Sequence, residues 1–148
     1  MLRFIVIRAL LFVSLPALAQ VSAASPVGLW QSIDDATGKP RAEIRITEAA
    51  GVITGRIERS LLPTPPGAVL LCTLCPDERK DKPLIGLEII RQMKPASDTQ
   101  TWEGGNILDP DNGKIFKAQL KLQDGAKRLQ VRGFIGPFFR SQTWIRIS

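Results

Sequence analysis

Arg41-Ala42-Glu43-Ile44-Arg45-Ile46-Thr47, Ala49-Ala50-Gly51 and Val52-Ile53-Thr54-Gly55-Arg56-Ile57-Glu58-Arg59 form the stretch whose reading decides the fold. In the first segment Ala42, Ile44 and Ile46 alternate with Arg41, Glu43 and Arg45. A side-chain period of two places these sets on opposite faces of an extended chain, one apolar and one charged. That is the pattern of a half-buried strand. Gly51 supplies the turn, and on the return Ile53, Gly55 and Ile57 alternate with Thr54, Arg56 and Glu58. The stretch reads as an antiparallel hairpin.

The same grammar extends both ways. Upstream, residues 27–34 form a strand ended by Ala36-Thr37-Gly38-Lys39-Pro40. Downstream, strands are expected over 84–93, 101–108, 114–122, 128–135 and 139–147. Asp109-Pro110-Asp111-Asn112-Gly113, Gln123-Asp124-Gly125 and Gly136-Pro137 punctuate them with turn residues. No helical period emerges. The sequence thus predicts an all-β chain of eight strands, mostly joined by short turns. A meander with one apolar face must hide both that face and its open edges, and closure into an eight-stranded antiparallel up-and-down β-barrel does both. A two-sheet sandwich is the alternative. An outer-membrane barrel fits poorly, because its lipid face would need an uninterrupted apolar band whereas one face of these strands carries charge.

Residues 61–83 break the pattern. Five prolines (Pro63, Pro65, Pro66, Pro76 and Pro83) fall in this span with both cysteines and the cluster Asp77-Glu78-Arg79-Lys80-Asp81-Lys82. Proline removes ladder donors and fixes φ, so this is one long irregular loop. Loops of that length are usually functional or mobile.

Residues 1–24 read as a signal peptide. Arg3 and Arg8 give the basic start, Ala9-Leu10-Leu11-Phe12-Val13-Ser14-Leu15 the apolar centre, and Ala17-Leu18-Ala19 the small-residue cleavage pattern, with a competing site ending at Ala24. A periplasmic or secreted protein follows, with residues 25–148 as a single domain. No later stretch is long and apolar enough for a stable membrane span as a helix. The whole chain carries a formal charge of +6, and loss of Arg3 and Arg8 leaves 18 basic against 14 acidic residues. The basic residues stand singly along strands without interleaved aromatics, which argues against nucleic acid as a partner.

The chain contains no histidine and no tyrosine. That removes the commonest general base, the His-assisted nucleophile and every His-containing metal site. No catalytic residue, metal ligand or cofactor is assigned, and an enzyme is the least supported class. It would be revived by two inward carboxylates at glycosidase spacing, for which Glu88 and Glu103 are the candidates; exposed strand-face carboxylates are their plainer reading. Asp109, Asp111 and Asn112 lack the terminal Glu of a calcium loop and read as a turn. Cys72 and Cys75 are the only cysteines. In an oxidising compartment they default to a disulfide. A redox role would need a thioredoxin-like βαβ context, and zinc would need two further ligands.

Gly28-Leu29-Trp30, Gly38-Lys39-Pro40, Gly55-Arg56-Ile57, Cys72-x-x-Cys75, Pro83-Leu84-Ile85-Gly86-Leu87, Gly105-x-Ile107-x-Asp109-Pro110, Asn112-Gly113-Lys114, Val131-Arg132-Gly133 and Gln142-Thr143-Trp144 occur in this order. Together they resemble the family called domain of unknown function 2147, small exported bacterial proteins. The family generally has Tyr where Phe116 stands, so no hydroxyl role transfers there. The resemblance implies a lipocalin- or calycin-like barrel and no agreed activity. Lipocalins themselves pair a Gly-x-Trp on the first strand with a basic residue near the last; here Trp30 would be covered by Arg146 or Arg140.

The expected function is binding of an apolar or amphipathic small molecule, or a lipid, inside the barrel. Trp30, Trp102 and Phe116 would supply apolar contacts, Arg132 and Arg140 polar anchors, and Glu88 an inward carboxylate. The aromatic residues serve equally as plain core filling. Arg132, flanked by Leu129, Val131 and Gly133, would need a partner if it pointed inward and would be ordinary surface if it pointed out. The alternative function is an envelope module that binds a protein or the cell wall through loop 61–83.

Overall fold

The computed structural model describes residues 24–148. The proposed signal peptide therefore lies outside the described residues, except for Ala24. Eight strands follow in order: β1 (Gly28–Ile33), β2 (Pro40–Ala49), β3 (Val52–Ser60), β4 (Glu88–Pro95), β5 (Thr101–Asp109), β6 (Lys114–Gln123), β7 (Arg128–Ile135) and β8 (Phe138–Arg146). Each pairs antiparallel with its neighbours in sequence, and β1 closes on β8 through Trp30 opposite Arg146 and Gln31 opposite Ile145. The result is a closed up-and-down barrel; closure rules out the sandwich.

The founding hairpin has the expected sides. Ile44, Ile46, Ile53 and Ile57 are buried, while Arg45 and Glu58 meet on the outside at 2.7 Å. The fourth strand begins later than the sequence suggests, at Glu88. Residues 84–87 instead form a turn in which Gly86 N–H donates to the Ile57 carbonyl at 2.7 Å.

In a meander, alternate turns gather at opposite ends. One end collects the β2–β3, β4–β5 and β6–β7 turns together with both ends of the described chain. This end is plugged. Trp30, Ile46, Ile53, Met93, Leu120 and Leu129 are each 0% exposed and fill its interior. The Trp30 indole N–H donates to the Pro26 carbonyl at 2.7 Å. Across its ring lies the Arg146 guanidinium, 4.2 Å from the ring centroid. Arg146 also donates to the carbonyl oxygens of Ala126 (2.6 Å), Val27 (2.9 Å) and Ser25 (2.7 Å). Of the two arginines that the sequence offered as cover for Trp30, Arg146 is therefore the one used. Burial lowers its pKa from the ordinary arginine value. Gly28 makes room for this lock: its φ is +143°, and a Cβ there would stand 2.4 Å from the Ser148 carbonyl oxygen and 2.7 Å from Arg146 Nη1.

The opposite end collects the β1–β2, β5–β6 and β7–β8 turns and the long loop. That loop is packed rather than loose. Cys72 and Cys75 form a disulfide, and both are buried. Cys72 N–H donates to the Lys82 carbonyl at 2.8 Å, and Asp81 N–H to the Cys72 carbonyl at 2.9 Å. Arg79, also buried, grips Asp77 and donates to the Glu88 backbone carbonyl at 2.8 Å, tying the loop to β4.

Candidate functional site

Towards the end with the long loop the barrel is hollow. A cavity of about 510 Å³ opens there. Its walls come from inward positions of most strands: Ile44 on β2, Ile57 on β3, Ile107 on β5, Phe116 on β6, Val131 on β7 and Trp144 on β8. The sequence explains this division of the barrel. The plugged half receives two tryptophans, Trp30 and Trp102, besides Met93 and a set of Leu and Ile side chains. The other half has small inward residues, Ser32, Ala42 and Gly133, among its lining. Those small side chains leave the space unfilled.

The rim is charged and internally paired. Asp34 accepts from the Thr37 backbone N–H at 2.8 Å, the Thr37 hydroxyl at 3.0 Å and Arg41 at 3.2 Å. These bonds, led by the Thr37 backbone N–H, hold its carboxyl below the ordinary carboxylate range. Arg41 also pairs with Asp111. Arg41 is on β2 and Asp111 in the β5–β6 turn, so this pair spans the mouth. Arg140 donates to Asp35 at 2.6 Å, joining β8 to the β1–β2 turn. The cavity thus has an apolar interior and a polar entrance, the arrangement of small-molecule sites.

The structure separates the residues singled out from sequence. Phe116 and Arg140 line the cavity, Phe116 in its wall and Arg140 at its rim. Trp30 and Trp102 are buried core residues outside the cavity lining. Glu88 is directed to the outer surface, where it accepts from Arg56 at 2.6 Å and Arg91 at 2.7 Å. Glu103 is exposed. These two carboxylates therefore do not form an inward pair. Arg132 takes the outward option: it donates to the Ser141 hydroxyl at 2.9 Å and lies 4.4 Å from the Phe139 ring centroid. Trp144, Ile44 and Val131 in the wall and Arg41 at the rim were not singled out as site residues. Period two alone does not say which end of an inward row is hollow.

Among the described residues, no three Cys, Asp or Glu side chains gather in a metal-binding arrangement. No helix there is long and apolar enough to cross a membrane.

A protein-family model described as an uncharacterized protein conserved in bacteria, DUF2147, matches residues 28–146. No curated protein matches the chain. Among solved structures, protein HP1028 from the human pathogen Helicobacter pylori, described as belonging to the lipocalin family, superposes with a TM-score of 0.70. The two share 14% identity, and the superposition covers 84% of each chain. At that identity the likeness is one of fold.

Proposed function

This chain belongs to the DUF2147 family of conserved bacterial proteins, and on that premise we propose that it is a non-enzymatic barrel that reversibly binds an amphipathic small molecule or lipid. The observation that carries the reading is the open-ended cavity of about 510 Å³, apolar inside and polar at its mouth. An apolar group would lie against Ile44, Phe116, Val131 and Trp144, with a polar end among Arg41, Asp35, Arg140 and Gln142. Entry would displace the Arg41–Asp111 pair. Such an exposed pair is worth only about 0–1 kcal/mol, so opening the mouth costs little. From the signal-peptide pattern of residues 1–24, with cleavage after about Ala19 or Ala24, we further propose that the mature protein is periplasmic or secreted.

The test uses N-phenyl-1-naphthylamine, an apolar dye that brightens out of water, together with native mass spectrometry of protein recovered from its host. The parent should bind the dye and carry a co-purified mass of lipid size. Ala42→Phe, which fills the cavity from its wall, should lose about tenfold or more in affinity while keeping its β circular dichroism. A folded parent that ignores the dye and flies without bound mass, or an Ala42→Phe variant that binds as well as the parent, overturns the reading.

A second reading, contact with an envelope protein or the cell wall through loop 61–83, draws on exposed Val69, Leu71 and Leu74. Val69→Ser with Leu74→Ser should abolish such capture and leave dye binding intact.

A further inference from the structure

The outer charges of the barrel are distributed unevenly. On β2, β3 and β4 most of them are matched within the sheet: Arg45 with Glu58, Arg59 with Glu43, and Arg56 and Arg91 with Glu88. Strands β6, β7 and β8 contain no Asp or Glu at all. Lys117 and Arg132, on the outward side of β6 and β7, have no ion-pair partner among the described residues.

Apolar surface lies beside these cations. The register sets Lys117 opposite Phe134, and Phe134 opposite Phe139. The two rings stand 6.2 Å apart, and Arg132 stacks on Phe139. Beyond them the β7–β8 tip presents Ile135, Phe138 and Phe139, which are 58%, 75% and 60% exposed. Aromatics that large are seldom left in water without a partner. Along β7, Arg132 sits three residues behind Ile135, about 10 Å at the rise of an extended strand. That matches the roughly 5–10 Å over which interfacial segments bury their apolar part while their cations stay among the headgroups.

We propose that the β7–β8 tip docks on an anionic lipid bilayer: Ile135, Phe138 and Phe139 enter the boundary between headgroups and acyl chains, and Lys117 and Arg132 meet lipid phosphates. Charge complementarity selects this occupant, since the charges on β6, β7 and β8, the strands that carry and flank the tip, are all positive. The inference goes beyond the ligand-binding reading and holds for an empty barrel as well. It would turn the cavity mouth, which Ile135, Phe138 and Phe139 also line, towards lipid.

All eight strands and the core they enclose lie in residues 24–148, so the protein from Ser25 onward is suited to a flotation assay. It should float with vesicles of phosphatidylcholine mixed with phosphatidylglycerol and remain behind with phosphatidylcholine alone. Phe138→Ser with Phe139→Ser should abolish flotation without changing the circular dichroism, both rings being exposed. Lys117→Gln and Arg132→Gln should each weaken binding about fivefold, and raised salt should weaken it further. Arg45→Gln with Glu58→Gln, on the matched face, should float like the parent. Equal flotation on both vesicle types, or a tip variant that binds as well as the parent, overturns the proposal. So does a vesicle-free dimer that Phe138→Ser with Phe139→Ser dissolves, because that result gives the tip to a second copy of the chain.

Discussion

Replacing Arg146 with methionine tests how the plugged end is held. Methionine keeps an apolar chain over the Trp30 ring but removes the guanidinium. Three hydrogen bonds are lost, to Ala126, Val27 and Ser25. Bonds from charged donors contribute about 1.5–3 kcal/mol each. Arg146 itself is only half-buried, so water can replace part of each bond and about 1 kcal/mol apiece is the better figure. The stacked cation adds about 1 kcal/mol. The expected loss is about 4 kcal/mol, or roughly 10–15 °C in melting temperature for a domain of this size. Urea unfolding followed by tryptophan emission measures it. Arg146→Lys should recover less than half of the loss, because an ammonium cannot reproduce the planar fork that serves three carbonyls. A double-mutant cycle with Trp30→Phe isolates the stack and should give a coupling near 1 kcal/mol. A loss below about 1 kcal/mol for Arg146→Met would refute the account of this end as a guanidinium-locked plug.

Two further outcomes follow from the long loop. The side-chain hydrogen bond from Arg79 holds the Asp77 carboxyl down at about 2. Its folded value thus lies below the roughly 3.9 of an unfolded Asp, so the stabilisation is complete above about pH 4 and fades as pH falls towards 2. By urea titration the parent should lose more stability over that window than Asp77→Asn does, by about 2 kcal/mol trimmed for the partial exposure of the pair. Gly113 has φ +72°, and a Cβ there would stand 1.8 Å from the Leu74 carbonyl oxygen. Gly113→Val should therefore cost about 2–3 kcal/mol and expose loop 61–83 to protease nicking; unchanged protease resistance would show that the loop does not depend on this contact.

The strands were legible because they obey period two wherever they pair without interruption. Leu120, Leu122, Leu129 and Val131 point inward as their alternation requires. Parity fails at bulges. The β3–β4 register shifts on both sides of Gly55, Ile89 and Ile90 are both buried, and Glu88 ends on the outer surface. A similar shift between Trp102 and Gly105 sits beside the burial of Trp102 in the plug. Arg132 was readable as outward from its own alternation; its hydrophobic neighbours supplied a competing signal, because they face the opposite side. The choice of hollow end was not legible. It depends on which large and small side chains meet across the barrel, and that is a property of shear between strands rather than of any one strand. The packing of loop 61–83 was hidden for a related reason: its contacts to the β5–β6 turn and β4 are remote in sequence.

The backbone at the plugged end has a practical corollary. Leu29 N–H donates to the Ser148 carbonyl at 2.8 Å, and Ile147 N–H to the Leu29 carbonyl at 2.8 Å, so the first and last strands are stitched side by side. A short linker from Ser148 to Ser25 would make a circular permutant, with new ends cut into a hairpin on the far side. An affinity handle fused at either position would hold the molecule by its sealed base, with the entrance facing away from the support.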